Sequence, residues 1–175
     1  VRATTLRHAV ATQLHVVAGT TEAVADVARR SVAARDVIVL PEVGAPGHEG
    51  LGMGYSIATG VSACPDAGGW LVLPGDMPMV RTGTLLEVAR ELANHAVVFA
   101  QHKGMRGHPV GFSAELYSEL TSLRGDEGAR RLVARYPAIG IEVDDPGVLI
   151  DVDTEADLEA VRLAEQHGKE APQRL

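Results

Sequence analysis

Cysteine is nearly absent from this 175-residue sequence: Cys64 is the only one. That excludes an internal disulfide and any zinc cluster built on cysteines, and it suits a reducing cytoplasm. Aromatics are scarce, with two Phe, three Tyr and one Trp, so the core must come from Val, Leu, Ile and Ala. No apolar run approaches the ~20 residues of a membrane-spanning helix, and no secretory signal pattern is visible. Positive charge is in the minority. Sixteen Lys and Arg against 23 Asp and Glu leave a net charge of −7. This argues against general nucleic-acid binding, which needs a basic surface to neutralise phosphates. A small phosphorylated ligand held by a metal or by a few local cations remains compatible with it.

What is present is a folding composition. Apolar residues make up 46% and charged residues 22%, in a length that fits one domain at about 100–200 residues each. Hydrophobic periodicity predicts alternating elements. Helices are expected over 5–13, from Thr20 or Thr21 to 30, and over 55–63, 84–94, 113–120 and 126–136. Strands are expected over 14–18, 36–40, 70–74, 96–100, 109–112, 139–143 and 148–152, with a glycine-rich loop over 44–54. Thr154, with Asp157 three residues on, predicts a capped helix to about 166. The domain is expected over 1–167, followed by a polar tail over 168–175. Apolar strands alternating with amphipathic helices predict an α/β fold: a single three-layer α/β/α domain with a mostly parallel sheet. Ligands in such folds bind beyond the carboxyl ends of the strands.

Familiar catalytic templates fail. There is no P-loop, and Gly52-Met53-Gly54 meets Ile57 where a dinucleotide fingerprint needs its third glycine. There is no nucleophile elbow. The seven His show no H-E-x-x-H, and Asp151-Val152-Asp153-Thr154 places its Thr one position too early for an aspartyl phosphatase.

Four segments hold chemistry. Gly50-Leu51-Gly52-Met53-Gly54-Tyr55-Ser56 opens a helix; glycines there let backbone N–H groups approach an anion, although an ordinary helix start reads the same. Leu73-Pro74-Gly75-Asp76-Met77-Pro78 puts a carboxylate at the tip of a strand, where oxygen ligands suit Mg²⁺. Gln101-His102-Lys103-Gly104, followed by Arg106-Gly107-His108-Pro109, is basic and leads into a strand. It offers Lys103, Arg106 or backbone N–H groups to an anion, or it is a solvated hairpin. Ile150-Asp151-Val152-Asp153-Thr154 alternates, so Asp151 and Asp153 are expected on one side of a strand. One of them would complete a two-carboxylate metal site with Asp76, unless it serves only as a helix cap. Asp126 in Gly125-Asp126-Glu127-Gly128-Ala129-Arg130 carries the same ambiguity.

In this order, the segments resemble the nucleotidyltransferases of molybdenum-cofactor biosynthesis, above all the molybdenum cofactor cytidylyltransferase branch. Gly52-Met53-Gly54-Tyr55-Ser56 is similar to that family's G-[LM]-G-x-S, and Gly75-Asp76-Met77-Pro78 to its D-[MQ]-P. Arg106-Gly107-His108-Pro109 is similar to its R-G-H-P, and Gly125–Arg130 to its G-D-x-G-A-R. Asp144-Asp145-Pro146-Gly147 followed by Asp151-Val152-Asp153-Thr154 is similar to its D-D-P-G…D-[IV]-D-T. The likeness covers about residues 50–160.

The resemblance implies a nucleotide-diphospho-sugar-transferase-like domain, akin to glycosyltransferase-A folds. It implies that a phosphorylated, molybdopterin-type acceptor attacks the α-phosphate of a nucleoside triphosphate, most readily CTP, and that pyrophosphate is released. Asp76 and Asp153 would be catalytic and would hold Mg²⁺, with Asp151 as the alternative second carboxylate. Gly52, Gly54, Ser56, Pro74 and Asp76 would line the nucleotide. Arg106, Gly107, His108, Pro109 and Asp126 would face the acceptor. A molybdoenzyme or chaperone partner is implied; nucleic acid and membranes are not. The family opens with a strand and a Gly-rich loop, L-A-A-G-x-S-x-R-[FM]-G followed by a Lys. Residues 1–13 instead resemble the helix that follows it, so that loop is expected in a preceding segment. Two alternatives stay open. One is a guanylyltransferase, or a transferase with a phospholactate-type acceptor, in a related cofactor pathway. The other is a non-catalytic relative that binds a nucleotide or partners a molybdoenzyme.

Overall fold

The computed structural model describes residues 16–17, 22–40, 52–125 and 128–170. The expected helix over 5–13, the caps Thr20 and Thr21, most of the glycine loop over 44–51, Asp126 and the tail end over 171–175 lie outside them. The elements run in chain order: β1 (Val16–Val17), α1 (Glu22–Arg29), β2 (Val37–Ile38), α2 (Met53–Ser62), β3 (Gly69–Val72), α3 (Thr82–Glu91), β4 (Val97–His102), β5 (Met105–Ser113), α4 (Tyr117–Thr121), α5 (Arg130–Arg135), β6 (Ala138–Glu142) and α6 (Glu155–Glu170). Short 3₁₀ turns lie at Ala34–Asp36, Ala114–Leu116 and Pro146–Leu149.

The α/β expectation holds, with mixed strand pairing. β1 pairs parallel with β2. The larger sheet has the order β3-β5-β4-β6; β4 and β6 are parallel, while β5 runs antiparallel to both its neighbours. The antiparallel strand arises because β4 and β5 form a hairpin through Lys103 (φ 52°) and Gly104 (φ 74°), the positive-φ pair that a tight hairpin requires. The expected strand over 109–112 is only the end of β5.

Successive residues of a strand face opposite sides of the sheet, and β4 makes the layering explicit. Val97 joins a core with Ile57, Val61, Trp70, Phe112, Leu120 and Leu132, from α2, β3, β5, α4 and α5. Val98 and Ala100 join a second core with Val88 of α3, Val143 and Val148. Helices therefore cover both faces, as the three-layer expectation requires.

Three local readings change. The strand expected over 148–152 is absent: Pro146–Leu149 is a 3₁₀ turn and residues 150–153 are irregular. The proline leads the chain into a turn, and its N-cap Asp145 accepts from the Gly147 N–H at 3.0 Å. The alternation argument that placed Asp151 and Asp153 on one strand face therefore lapses. The helix expected from Asp126 starts at Arg130, since Gly128 adopts a positive φ of 55°. The C-terminal helix continues to Glu170, past the expected limit near 166.

Asp145 is buried (2% exposed), and its role is structural. It accepts from the Arg81 N–H at 2.8 Å, the Thr84 hydroxyl at 2.6 Å and the Gly147 N–H. It thus caps the start of α3 from 61 residues away and ties the turn after β6 to the segment after β3.

Candidate active site beyond the strand ends

Asp76 lies four residues past the end of β3. The Met77 N–H donates to the Pro74 carbonyl at 3.4 Å, closing a turn. Met77 is buried and anchors this turn (7% exposed), while Gly75 and Asp76 are exposed at its tip. The Val152 N–H donates to the Asp76 carbonyl at 2.9 Å. This bond lays the Asp151–Asp153 segment directly against the Asp76 turn, although 75 residues separate the two in sequence.

The cap of α6 is made by other residues. The Thr154 N–H donates to Asp157 Oδ2 at 2.9 Å, the Thr154 hydroxyl donates to the same oxygen at 2.7 Å, and the Asp157 N–H donates to the Thr154 hydroxyl at 3.2 Å. Asp157 is held below the usual carboxylate range by these bonds to Thr154. Asp151 and Asp153 are left exposed, and their side chains make no hydrogen bond or ion pair among the described residues. Asp76 is likewise unpaired. Among the described residues, no three His, Cys, Asp or Glu side chains converge as a metal cage. Two carboxylates completed by waters and phosphate oxygens form the looser donor set that Mg²⁺ accepts, and free carboxylates on two adjoining segments fit it.

β5 carries Arg106, Gly107, His108 and Pro109. Gly107 is buried, and a Cβ there would run into the Val148 carbonyl oxygen and carbon; the glycine lets β5 touch the Pro146–Leu149 turn. His108 is half-buried, and its Nδ1 is enclosed without a partner among the described residues. Burial pushes the imidazole below its usual pKa, and the Arg106 charge adds to this; the Val72 backbone and the Asp76 carboxylate pull the other way. The last two influences come from the end of β3 and from the turn beyond it. The His108–Pro109 peptide is cis, and Pro109 is fully buried. The Arg106 guanidinium lies over the Phe99 ring, 4.6 Å from its centroid.

The expectation that the hairpin's backbone N–H groups hold an anion is corrected. The Lys103 and Gly104 N–H groups both donate to Glu142, which also accepts from Gln101 Nε2 at 3.1 Å. These bonds, led by the one from Gly104, hold Glu142 below the usual carboxylate range.

At the start of α2, the Gly54 N–H donates to the Gly125 carbonyl at 2.9 Å. A Cβ on Gly54 would stand 2.8 Å from the Arg124 oxygen and 3.0 Å from that of Gly125. The glycine thus permits close contact between two of the sequence motifs. Gly52 is the N-cap of α2, and its carbonyl accepts from the Ser56 N–H at 3.1 Å and the Ser56 hydroxyl at 3.4 Å.

The fold therefore joins Asp76 to the Asp151–Asp153 segment and Gly54 to Gly125, and His108 senses the Asp76 charge. It gives Gly107 a packing role, and Asp126 lies outside the described residues. The sequence motifs did not include Phe99, which lies under the Arg106 guanidinium.

Comparison with known proteins places these features. The family described as MobA-like NTP transferase domain matches residues 2–139. The purine catabolism protein PucB of Bacillus subtilis is 31% identical over 119 residues, which are 65% of this chain and 57% of that protein; the chain thus spans little more than half of this relative's length. The crystal structure of Rv0371c from Mycobacterium tuberculosis in complex with manganese is 28% identical. It superposes with a TM-score of 0.73 over 90% of this chain and 82% of that one. Molybdopterin-guanine dinucleotide biosynthesis protein A from Archaeoglobus fulgidus shares the fold, with a TM-score of 0.56 at 16% identity, over 86% of this chain and 78% of that one.

Proposed function

This chain belongs to the family of MobA-like NTP transferase domains, and on that premise we propose that it transfers a nucleoside monophosphate, CMP from CTP, to a molybdopterin-type phosphorylated acceptor with release of pyrophosphate. The observation that carries this reading is the Val152–Asp76 backbone bond. It lays the backbone of the Asp151–Asp153 segment against that of Asp76, which supports a shared site.

Asp76 and Asp153, with Asp151 as the alternative, would hold a divalent cation. Once bound, that cation neutralises charge developing on the α-phosphate and aligns the attacking and leaving oxygens. The start of α2 at Gly52, Gly54 and Ser56, together with Pro74, would line the nucleotide. Arg106 and His108, with Asp126, would face the acceptor. Gly107 and Pro109 support that strand from within the packing. His108, whose pKa burial lowers, would orient the acceptor by hydrogen bonding. The manganese in the Rv0371c structure supports a divalent cation, and Mg²⁺ is the ion proposed here.

No helix among the described residues is long and apolar enough to cross a membrane, and a cytoplasmic location is part of the proposal, as is a molybdoenzyme or chaperone that receives the product. The test is pyrophosphate release from CTP and from GTP, with Mg²⁺ and a molybdopterin acceptor. CTP-dependent release that disappears in Asp76→Asn is expected. Release from GTP alone would move the assignment to a guanylyltransferase, and none from either would refute transfer.

A further inference from the structure

The motif Asp144-Asp145-Pro146-Gly147 contributes no residue to the proposed site, yet its contacts form a regular pattern. The Val152 N–H donates to the Asp76 carbonyl at 2.9 Å. A Cβ on Gly147 would collide with the Met79 carbonyl oxygen, so the two backbones touch there. The Arg81 N–H donates to Asp145 Oδ2 at 2.8 Å. The contacts thus match 76 with 152, 79 with 147 and 81 with 145. One number rises as the other falls, so residues 76–81 and 145–152 lie antiparallel along each other as a clasp, although neither segment is a strand.

Asp145 closes the buried end of this clasp. Its Oδ2 also accepts from the Thr84 hydroxyl at 2.6 Å. Its Oδ1 accepts from the Gly147 N–H at 3.0 Å and lies 3.7 Å from Arg81 Nε. Both oxygens are engaged, so this carboxylate serves as an anchor, whereas the exposed Asp76, Asp151 and Asp153 form the other end. Between the two ends, the Val148 N–H donates to the Asp145 carbonyl and the Ile150 N–H to the Gly147 carbonyl, both at 3.3 Å. A Cβ on Gly107 would collide with the Val148 carbonyl, so the same turn also presses on β5 between Arg106 and His108. An irregular, exposed segment such as 150–153 is costly to order by itself, and an anchored turn just before it removes most of its slack.

We propose that Asp145 is a positioning residue: it locks the clasp at its buried end and thereby holds the Asp151–Asp153 segment in register with Asp76. That these carboxylates then share a divalent cation rests on the function proposed above; the clasp itself rests on the contacts. Groups that orient metal-holding side chains without touching the metal typically change its affinity by about 10–100-fold when they are lost.

The experiment uses the full chain and two mild variants. Thr84→Val removes one donor to Asp145 at nearly constant shape. Asp145→Asn keeps one oxygen and replaces the other by an amide. In the metal-free protein, amide hydrogen exchange of Val152 is expected to speed up about tenfold or more in Asp145→Asn and measurably in Thr84→Val. The Leu158 amide, which donates to the Thr154 carbonyl at 3.1 Å outside the clasp, should keep its rate. Mn²⁺ affinity, read from the free-ion electron paramagnetic resonance signal, should fall about tenfold in Asp145→Asn, and Thr84→Ser should match the parent in both measurements. An unchanged Val152 rate, or equal acceleration at Val152 and Leu158, would overturn the clasp. Faster exchange at Val152 with the parent's Mn²⁺ affinity would overturn its role in positioning the carboxylates. If the parent itself binds no Mn²⁺, the cation reading fails on its own, and the clasp is judged by the exchange of Val152 and Leu158.

Discussion

The N–H of Val152 donates to the carbonyl of Asp76 at 2.9 Å, and this bond joins the Asp76 turn to the Asp151–Asp153 segment. A backbone bond positions both segments whatever their side chains hold. The carboxylates can therefore be changed with little loss of fold. Asp76→Asn should leave the unfolding free energy within about 0.5 kcal/mol of the parent, as exposed substitutions usually do, and should abolish nucleotidyl transfer. Urea unfolding and a pyrophosphate-release assay on the same preparation check both parts.

Asp145 should behave in the opposite way. It is buried and accepts three hydrogen bonds, from Arg81, Thr84 and Gly147. Asp145→Ala leaves those donors without an acceptor and uncaps α3. A loss of roughly 3–5 kcal/mol is expected, visible as a lower urea midpoint.

Gly107 and Gly54 should be intolerant of even a methyl group. The atoms in the way are backbone carbonyls of Val148, Arg124 and Gly125, which cannot rotate aside. Each Gly→Ala substitution should cost about 1–3 kcal/mol through forced backbone shifts. Gly107→Ala should be the worse of the two, because its Cβ would overlap the Val148 oxygen more deeply. Thermal unfolding of the two variants side by side gives the order.

Stability should depend on Glu142 at acid pH. Its folded-state pKa lies below the ordinary value, chiefly through the Gly104 N–H and also through the Lys103 N–H and Gln101. The unfolded chain therefore binds the proton more tightly. The contribution of Glu142 is fully present above the ordinary carboxylate pKa and fades as pH falls through its depressed value. Glu142→Gln should flatten that part of the stability profile and leave the neutral range with a constant offset. Urea midpoints measured from pH 3 to 7, a window around the ordinary carboxylate pKa of about 4, would show it; an unchanged acid slope would contradict it.

Much of this architecture was legible because buried strands announce themselves. Val97–Ala100 and the apolar residues around Trp70 have no polar face to confuse the period, and the Thr154–Asp157 cap is a local pattern of three-residue reach. What sequence could not supply was contact between distant segments. The alternation in 148–152 imitates a strand, yet Pro146 and the Asp145–Gly147 bond turn the chain instead. The Lys103–Gly104 amides look free for a ligand until Glu142, some 40 residues away in sequence, is placed against them. The motif Gly107 reads as ligand-facing, but its missing side chain serves the contact with Val148. For the candidate site, Asp76 was readable as a strand-end carboxylate, and Asp151 or Asp153 was expected to join it. The contact that brings the segments together was not readable, because it is one backbone bond between residues 76 and 152 and not the expected strand.

Asp76 and the Asp151–Asp153 segment are proposed to hold a divalent cation together. The most direct measurement is Mn²⁺ binding followed by the loss of the free-ion electron paramagnetic resonance signal, for the parent protein and for Asp76→Asn, Asp151→Asn and Asp153→Asn. Asp76→Asn and one of the other two should each weaken binding by about tenfold or more, while all the variants keep the parent's circular dichroism. Unchanged Mn²⁺ affinity in Asp76→Asn, or in both Asp151→Asn and Asp153→Asn, would contradict it.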